Sequence, residues 1–192
     1  MKVDYNIDLM QALTIIQQGG VILYPTDTVW GLGCDAANPQ AVKRIYEIKQ
    51  RADSKALILL VDSLTALERV VGDVSEIAKE LIANQERPTT VIYPRVSEKY
   101  ACVAAQDGSV AIRVTSERFS RELCMLLDGP LVSTSANISG QPAPLSFAEI
   151  SDEILNSVDY IVKYGRETPA NSQQPSKIVR LNNDNTIEII RP

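Results

Sequence analysis

Lys49, Arg51 and Lys55 place three cationic side chains within seven residues of one another. The acids nearest to them in sequence, Glu47 and Asp53, are too few to neutralise all three. Such a cluster could bind an anion, because cationic side chains form strong, charge-assisted hydrogen bonds with phosphate and carboxylate groups. The alternative is a solvent-exposed basic helix end, since cations also interact favourably with the negative end of the helix dipole.

A helix and a buried strand are predicted to meet at this cluster. Asn38 is a good N-cap, Pro39 suits the first helical position, and apolar residues then recur at helical spacing until near Arg51. The continuous apolar run over 56–61 predicts a buried strand directly afterwards. The three cations are therefore expected at the junction between a helix C-terminus and a buried strand.

A second polar segment follows the short buried strand predicted over 21–24. Thr26, Asp27 and Thr28 supply two hydroxyls and a carboxylate, and the loop is predicted to continue through Gly33. Open α/β sheets bind ligands beyond the carboxyl ends of their strands, so we expect this loop to border a ligand. The alternative is an ordinary strand-to-helix connection.

Two further segments carry polar side chains on predicted strands. Arg113 interrupts an apolar strand over 109–114, and a buried strand tolerates a cation only if it is paired or faces a cavity. A strand over 131–135 turns polar at its end, where Ser133, Ser135 and Asn137 could hydrogen-bond to a phosphate, a ribose or a carboxylate. Capping of the turn itself is an equally good role for Ser135 and Asn137.

Composition restricts the chemistry that these residues could do. The chain of 192 residues has no histidine, which excludes Ser-His-Asp and Cys-His catalysis and every His-containing metal site. Three widely spaced cysteines indicate reduced thiols, and no long apolar segment forms a signal peptide or a membrane span, so a cytoplasmic protein is expected. A formal net charge of -5 argues against a generally basic protein that coats nucleic acid.

Strands and helices alternate along the chain, and a closing hairpin over 175–181 and 186–191 makes the predicted sheet mixed. We expect an α/β fold, a twisted mixed sheet with helices packed around it, in a single domain over 1–192. Further helices are predicted over 7–18, 64–71, 75–83, 117–127 and 146–155, further strands over 88–93 and 158–162, and an irregular flap over 97–107.

The four polar segments occur in a characteristic order. They are Tyr24-Pro25-Thr26-Asp27-Thr28-Val29-Trp30-Gly31-Leu32-Gly33, Ile48-Lys49-Gln50-Arg51, Ala111-Ile112-Arg113-Val114 and Ser133-Thr134-Ser135-Ala136-Asn137-Ile138-Ser139-Gly140. In this order the chain resembles the YrdC/TsaC family, the threonylcarbamoyl-AMP synthases, over nearly its whole length. The resemblance implies a YrdC-like fold with a deep cationic concave surface. The implied reaction joins L-threonine, bicarbonate and ATP into L-threonylcarbamoyl-AMP and pyrophosphate, for threonylcarbamoyladenosine modification of tRNA.

The resemblance also implies roles for individual residues. Those expected to hold threonine are Thr28, Arg113, Ser133 and Ser176. Those expected to face the nucleotide phosphates or the threonine carboxylate are Lys49, Arg51 and Lys55, with Lys49 and Arg51 as the catalytic candidates. Those expected to border ATP are Ser135, Asn137, Ala143 and Arg191. Mg²⁺ is expected to arrive with ATP rather than at a dedicated protein metal site. Lys177 and Arg180 depart from the family's usual threonine and aspartate.

Two other functions remain open from the sequence. A basic cavity on this fold could hold the phosphates of double-stranded RNA or tRNA, which would make the chain a binding module. A related nucleotidyl or carbamoyl transferase could instead act on another amino acid, because the candidate residues do not identify threonine by themselves. Among partners we expect downstream tRNA-modification proteins and no membrane. The chain ends at Pro192, which indicates the short form of the family without a further C-terminal domain.

Overall fold

Nine strands form one mixed sheet in the part of the chain that the structure describes. The structure is a computed structural model, and it describes residues 4–50, 57–84, 86–167, 175–182, 184 and 186–192. Arg51 and Lys55, two of the three clustered cations, lie outside the described residues. The strands are β1 (Ile22–Tyr24), β2 (Gly31–Gly33), β3 (Ile58–Val61), β4 (Thr89–Tyr93), β5 (Val110–Val114), β6 (Leu131–Ser135), β7 (Tyr160–Ile161), β8 (Lys177–Leu181) and β9 (Ile187–Arg191). The helices are α1 (Tyr5–Gln17), α2 (Pro39–Ile48), α3 (Leu64–Val71), α4 (Glu76–Ala83), α5 (Arg118–Leu127) and α6 (Asp152–Leu155).

The sheet runs in the order β7-β1-β2-β6-β3-β5-β4-β8-β9. The pairs β1/β7, β3/β5 and β4/β8 are parallel, and the other neighbours are antiparallel. The predicted mixed α/β sheet is therefore confirmed, as is the closing hairpin formed by β8 and β9.

Helices cover the two faces of the sheet unequally. On one face, α2, α3 and α4 pack on a large core that includes Ile45, Leu67 and Ile112. On the other face, α1 and α5 pack over a smaller area, with Phe119 fully buried beneath them. Because successive side chains of a strand point to opposite faces, Ala111 on β5 faces away from the Ile112 core. The face that carries Ala111 is left uncovered over part of its area, and this opening positions the candidate site described below.

The prediction for α2 is confirmed at its N-terminus. Asn38 accepts hydrogen bonds from the backbone N–H groups of Gln40 and Ala41, and Pro39 occupies the first helical turn. The helix ends at Ile48, with Lys49 as its C-cap. It is thus slightly shorter than predicted, and the first residue with non-helical backbone angles is Gln50, which has a φ of 48°.

The N-cap of α2 offers a direct test of this local structure. Asn38→Ala is expected to lower the free energy of unfolding by about 1 kcal/mol, because two backbone donors lose their acceptor. Urea titration followed by circular dichroism would measure the change. Asn38→Asp is the matched control, since aspartate also caps helices and should stay close to the unmutated chain.

Three sequence predictions were wrong in detail. Gly31–Gly33 was expected to be a loop and forms β2. A Cβ on Gly33 would lie 2.6 Å from Tyr24 Cε1, so the glycine is what allows β2 to lie so close to β1. The helix expected over 146–155 is a 3₁₀ turn (Phe147–Glu149) and α6, because Ser151 begins a new helix by capping it. The expected flap over 97–107 begins with a 3₁₀ helix (Glu98–Val103) whose Tyr100 and Val103 pack in the core.

Within the described residues, no helix combines the length and the apolar character that crossing a membrane requires.

Candidate active site

The uncovered part of the sheet contains a hollow of about 520 Å³. Seven of the residues to which the family resemblance assigns a role line it: Thr28, Arg113, Ser133, Ser135, Ala143, Ser176 and Arg191. Segments that are far apart in the chain therefore meet at one concave surface. Lys49 and Asn137 are not part of the lining, and Arg51 and Lys55 lie outside the described residues.

The register of the strands explains this convergence. Ser133 on β6 lies opposite Ile58 on β3, and Ile58 in turn lies opposite Ala111 on β5. Ala111 is paired with Ile92 on β4, so one row of side chains crosses four strands. The hollow thus has an apolar floor, and it lies across a sheet face. Most of this row lies within strands rather than beyond their ends, since antiparallel neighbours share no carboxyl edge.

The loop between β1 and β2 folds around its own hydroxyl groups. The hydroxyl of Thr26 donates to the carbonyl oxygen of Val29 at 2.7 Å and accepts from the backbone N–H of Thr28 at 3.1 Å. The two threonine hydroxyls lie 3.1 Å apart. Thr26 and Thr28 face the hollow, as does Gly31 at the start of β2. The loop therefore borders the hollow, as the sequence predicted, and it is also held by ordinary turn contacts.

A buried ion pair involves this loop. Arg113 Nη2 is 2.8 Å from Asp27 Oδ1, and the two side chains are 4% and 6% exposed. Arg113 Nε is buried and has no hydrogen-bond partner among the described residues. The sequence required a buried cation here to be paired or to face a cavity, and Arg113 does both.

Another part of the wall of the hollow is formed by the closing hairpin. Arg191 donates from Nε to the carbonyl oxygen of Ser176 at 2.9 Å and from Nη2 to the Ser176 hydroxyl at 3.2 Å. That hydroxyl is also 2.9 Å from the hydroxyl of Thr90. Burial lowers the pKa of the Arg191 guanidinium, and the positive charges of Arg113 and Arg87 lower it further. An anionic guest in the hollow would relieve this repulsion.

A β-bulge determines the direction of Arg191. Ile178 pairs with Arg191, but the next residue of β8, Val179, pairs with Ile189, so Ile190 is an extra residue in β9. Val179 packs in the core on the far side of the sheet, whereas Ile178 lines the hollow. Without the extra residue, alternation along β9 would turn Arg191 to the far side.

Lys49 lies beneath one edge of the hollow rather than in its lining. It is buried, and its Nζ donates to the carbonyl oxygens of Ser135 and Asn137 at 2.5 and 2.7 Å. The carbonyl oxygen of Lys49 accepts from the backbone N–H of Ser139 at 2.9 Å. Lys49 therefore ties the end of α2 to the end of β6 and the loop after it. Its contact with nucleotide phosphates stays a prediction.

Asn137 has the turn-capping role that the sequence left open. Its Nδ2 donates to the carbonyl oxygens of Ile138 and Gln141 at 3.0 and 2.7 Å. Its Oδ1 is buried and has no hydrogen-bond partner in the described part of the chain. The predicted contact with ATP stays a prediction.

The two departures from the family pattern leave Ser176 in the hollow. Arg180 forms an ion pair with Asp107, at 3.3 Å between Nη1 and Oδ2, and the two side chains are 37% and 56% exposed. Lys177 donates its backbone N–H to the carbonyl oxygen of Pro88, which continues the parallel pairing of β8 with β4.

Sequence reasoning missed several residues of the site. It did not identify Thr90 or the apolar floor formed by Ile58, Ile92 and Ala111, and it left Asp27 without an assigned role. Strand alternation could have indicated the floor, because Ala111 precedes Arg113 by two positions and must share its face. Among the described residues, no group of three or more His, Cys, Asp or Glu side chains is placed to hold a metal ion, and the described lining contains no carboxylate.

Comparisons with known proteins agree with this architecture. The sequence profile of the Sua5/YciO/YrdC family, described as "Telomere recombination", matches residues 14–192. A threonylcarbamoyl-AMP synthase of Pseudoalteromonas translucida is 38% identical over 170 residues, which is 87% of this chain and 89% of the relative. The crystal structure of E. coli YciO superimposes with a TM-score of 0.83 at 27% identity, over 99% of this chain and 90% of that one.

A third comparison concerns a protein crystallised with an amino acid. The structure of P. abyssi Sua5 complexed with L-threonine superimposes with a TM-score of 0.81 at 27% identity. It covers 94% of this chain, but this chain spans only 52% of the length of that protein.

Proposed function

The chain belongs to the Sua5/YciO/YrdC family, and from that premise we propose that it is an L-threonylcarbamoyladenylate synthase. The enzyme would make threonylcarbamoyl-AMP and pyrophosphate from L-threonine, bicarbonate and ATP. One observation carries the proposal: a single hollow is lined by Arg113, which pairs with the buried Asp27, and by Arg191, which bonds to Ser176. Relatives named threonylcarbamoyl-AMP synthase match the chain over most of its length, which supports the same assignment.

The two arginines that line the hollow differ in their partners, and this supports an arrangement of the substrates. Arg113 has Asp27 as a counter-ion, so a zwitterion such as threonine suits its surroundings, with the hydroxyls of Thr28 and Ser133 in the same lining. Arg191 bonds only neutral oxygens among its described partners, so the polyanionic ATP suits its side of the hollow. Ser135 and the backbone at Ala143 line the hollow as well and would border the nucleotide.

The proposed reaction has two steps. The threonine amine adds to the carbon of bicarbonate and water leaves, which gives a carbamate on the amine. A carbamate oxygen then attacks the α-phosphorus of ATP, and the bond from that phosphorus to the leaving pyrophosphate breaks. The chain would contribute positioning of the reacting groups and neutralisation of phosphate charge, which need no histidine. Magnesium carried by ATP would supply further charge neutralisation, held by the phosphates because the described lining offers it no carboxylate.

A pyrophosphate-release assay tests this proposal. Release is expected to require ATP, L-threonine and bicarbonate together, and to fall to background when either of the last two is left out. L-serine, which lacks the methyl group, is expected to react about 10-fold more slowly or worse. Release that does not depend on bicarbonate, or that is equal with serine, would contradict the threonine assignment and favour a transferase for another amino acid.

Contact with RNA is a separate prediction of the sequence. The net charge of -5 and the mixed charge of the hollow weigh against a double-stranded RNA-binding module. Tight, salt-dependent binding of tRNA by a chain that fails to release pyrophosphate would favour that alternative. Downstream tRNA-modification proteins and a cytoplasmic location stay predictions.

A further inference from the structure

Asp27 is a buried carboxylate to which the proposed reaction assigns no task. It lies in the loop between β1 and β2, between two residues that line the hollow, Thr26 and Thr28. Asp27 itself is buried and does not belong to the described lining. Its Oδ1 lies 2.8 Å from Arg113 Nη2 as an ion pair, and this oxygen has no hydrogen-bond partner among the described residues. A side chain in this position acts on the hollow through Arg113 rather than by touching the guest.

Arg113 has an unused donor that points to a guest. Its Nε is buried and has no hydrogen-bond partner among the described residues, although buried donors are almost always paired. Arg113 lines the hollow, so an acceptor could reach it from there. The guanidinium is a planar fork of five N–H groups, so the ion pair between Nη2 and Asp27 restricts the directions in which Nε–H can point.

We propose that Asp27 is a positioning residue: it orients Arg113 so that the Nε edge of the guanidinium receives the α-carboxylate of the amino-acid substrate. The amino acid is taken from the proposed function, on which this inference rests. The α-carboxylate does not react in either step, so Arg113 can hold it throughout. A substrate fixed by its unreactive carboxylate presents its amine in one orientation, which is how positioning accelerates a reaction.

Asp27 also sets the charge that the guest meets. Arg113 and Arg191 are close enough that the charge of Arg113 lowers the pKa of Arg191, although burial is the larger cause. Asp27 offsets the charge of Arg113, so the pair favours a neighbouring zwitterion over a neighbouring polyanion. Its removal would leave Arg113 misdirected for a carboxylate but more attractive to any polyanion. The two effects have opposite signs, and this distinguishes orientation of Arg113 from general support of the fold.

The test uses Asp27→Asn, which removes the charge and keeps the shape. Isothermal titration calorimetry would measure the Kd of L-threonine and, separately, the Kd of inorganic pyrophosphate as a polyanionic probe. The threonine Kd is expected to rise by about 10-fold or more, and the pyrophosphate Kd to fall by about 3-fold. An equal rise in the Kd of both ligands, or an unchanged threonine Kd, would overturn the proposal.

A second experiment tests whether the effect of Asp27 on threonine binding depends on Arg113. In Arg113→Lys, which keeps the charge but lacks the planar fork, Asp27→Asn is expected to change the threonine Kd by less than about 2-fold. A change of 5-fold or more there would show that Asp27 does not act through Arg113 and would overturn the proposal. Asp159→Asn is the matched control, because Asp159 pairs with Arg44 elsewhere on the molecule. It should leave both Kd values unchanged.

Two further results have defined meanings. If Asp27→Asn does not fold, Asp27→Glu keeps the charge and displaces it by one methylene. That variant should raise the Kd of threonine and leave the Kd of pyrophosphate unchanged. An unaltered threonine Kd would overturn the proposal. If the unmutated chain binds no threonine, the proposed function and the positioning proposal both fail; if it binds threonine, the Asp27→Asn measurements decide the positioning proposal separately. An unchanged pyrophosphate Kd in Asp27→Asn would overturn it.

Discussion

Arg113→Gln is expected to lower threonine-dependent pyrophosphate release by about 1000-fold, which corresponds to about 4 kcal/mol. A charge-assisted hydrogen bond to the substrate carboxylate, worth about 1.5–3 kcal/mol, is lost. The Asp27 carboxylate stays behind without its counter-ion and repels the carboxylate of the substrate. The measurement is the steady-state rate of pyrophosphate release at saturating ATP and bicarbonate, with threonine varied.

The same variant should be less stable, which must be separated from its loss of activity. Loss of one member of a buried ion pair costs about 3–5 kcal/mol, because the remaining charge is left unpaired. The double variant Asp27→Asn/Arg113→Gln removes both charges and should regain most of that stability while staying inactive. Arg69→Gln is the control for a lost ion pair, since Arg69 pairs with Asp128 in a largely exposed position. Recovery of activity in the double variant would contradict the role given to Arg113.

Lys49→Met is expected to lower pyrophosphate release by at least about 100-fold although Lys49 does not line the hollow. The carbonyl oxygen of Asn137 would lose the donor that Lys49 provides, at about 1–3 kcal/mol, whereas that of Ser135 would keep the backbone N–H of Asn137. The end of β6 carries Ser133 and Ser135, so its displacement would move two groups of the site. Pyrophosphate release and urea unfolding would be measured together.

The control for Lys49→Met lies on the same helix. Lys43 has a side chain that is 66% exposed and pairs only loosely with Glu47, at 3.7 Å. Lys43→Met should therefore leave stability and activity nearly unchanged. If Lys49→Met lost stability but released pyrophosphate at the normal rate below its melting temperature, Lys49 would support the fold and have no influence on the site.

Local sequence signals determined how much of the fold could be predicted. The helix α2 was predictable because an N-cap, a proline and an apolar period agree over ten residues. The strand β2 was not, because three residues with two glycines carry almost no side-chain pattern. The break before α6 was missed because the apolar period continues through Ser151, whereas the cap that Ser151 provides is a matter of backbone geometry.

The candidate site was predictable in its members and less so in its arrangement. Thr28, Arg113 and Ser133 could be identified from the sequence because they are polar residues within or just after apolar strand segments. Their meeting on a sheet face depends on strand order and register, which pairings distant in sequence determine. The direction of the Lys49 side chain could not be predicted either, because a lysine at a helix C-cap can point outward to an anion or inward to carbonyl groups. Only the placement of β6 beside α2 decides between them.

Because Ile190 is an extra residue, the side of the sheet to which Arg191 points depends on the number of residues between Ile189 and Arg191. Every deletion or insertion of a single residue between Ile189 and Arg191 would reverse the parity of the strand and send the guanidinium to the wrong side of the molecule. Insertions or deletions within the hairpin turn would not have this effect, because the pairing of Ile189 with Val179 would restore the register before Arg191. The length of this short segment is therefore as much a part of the site as the identity of its last cation.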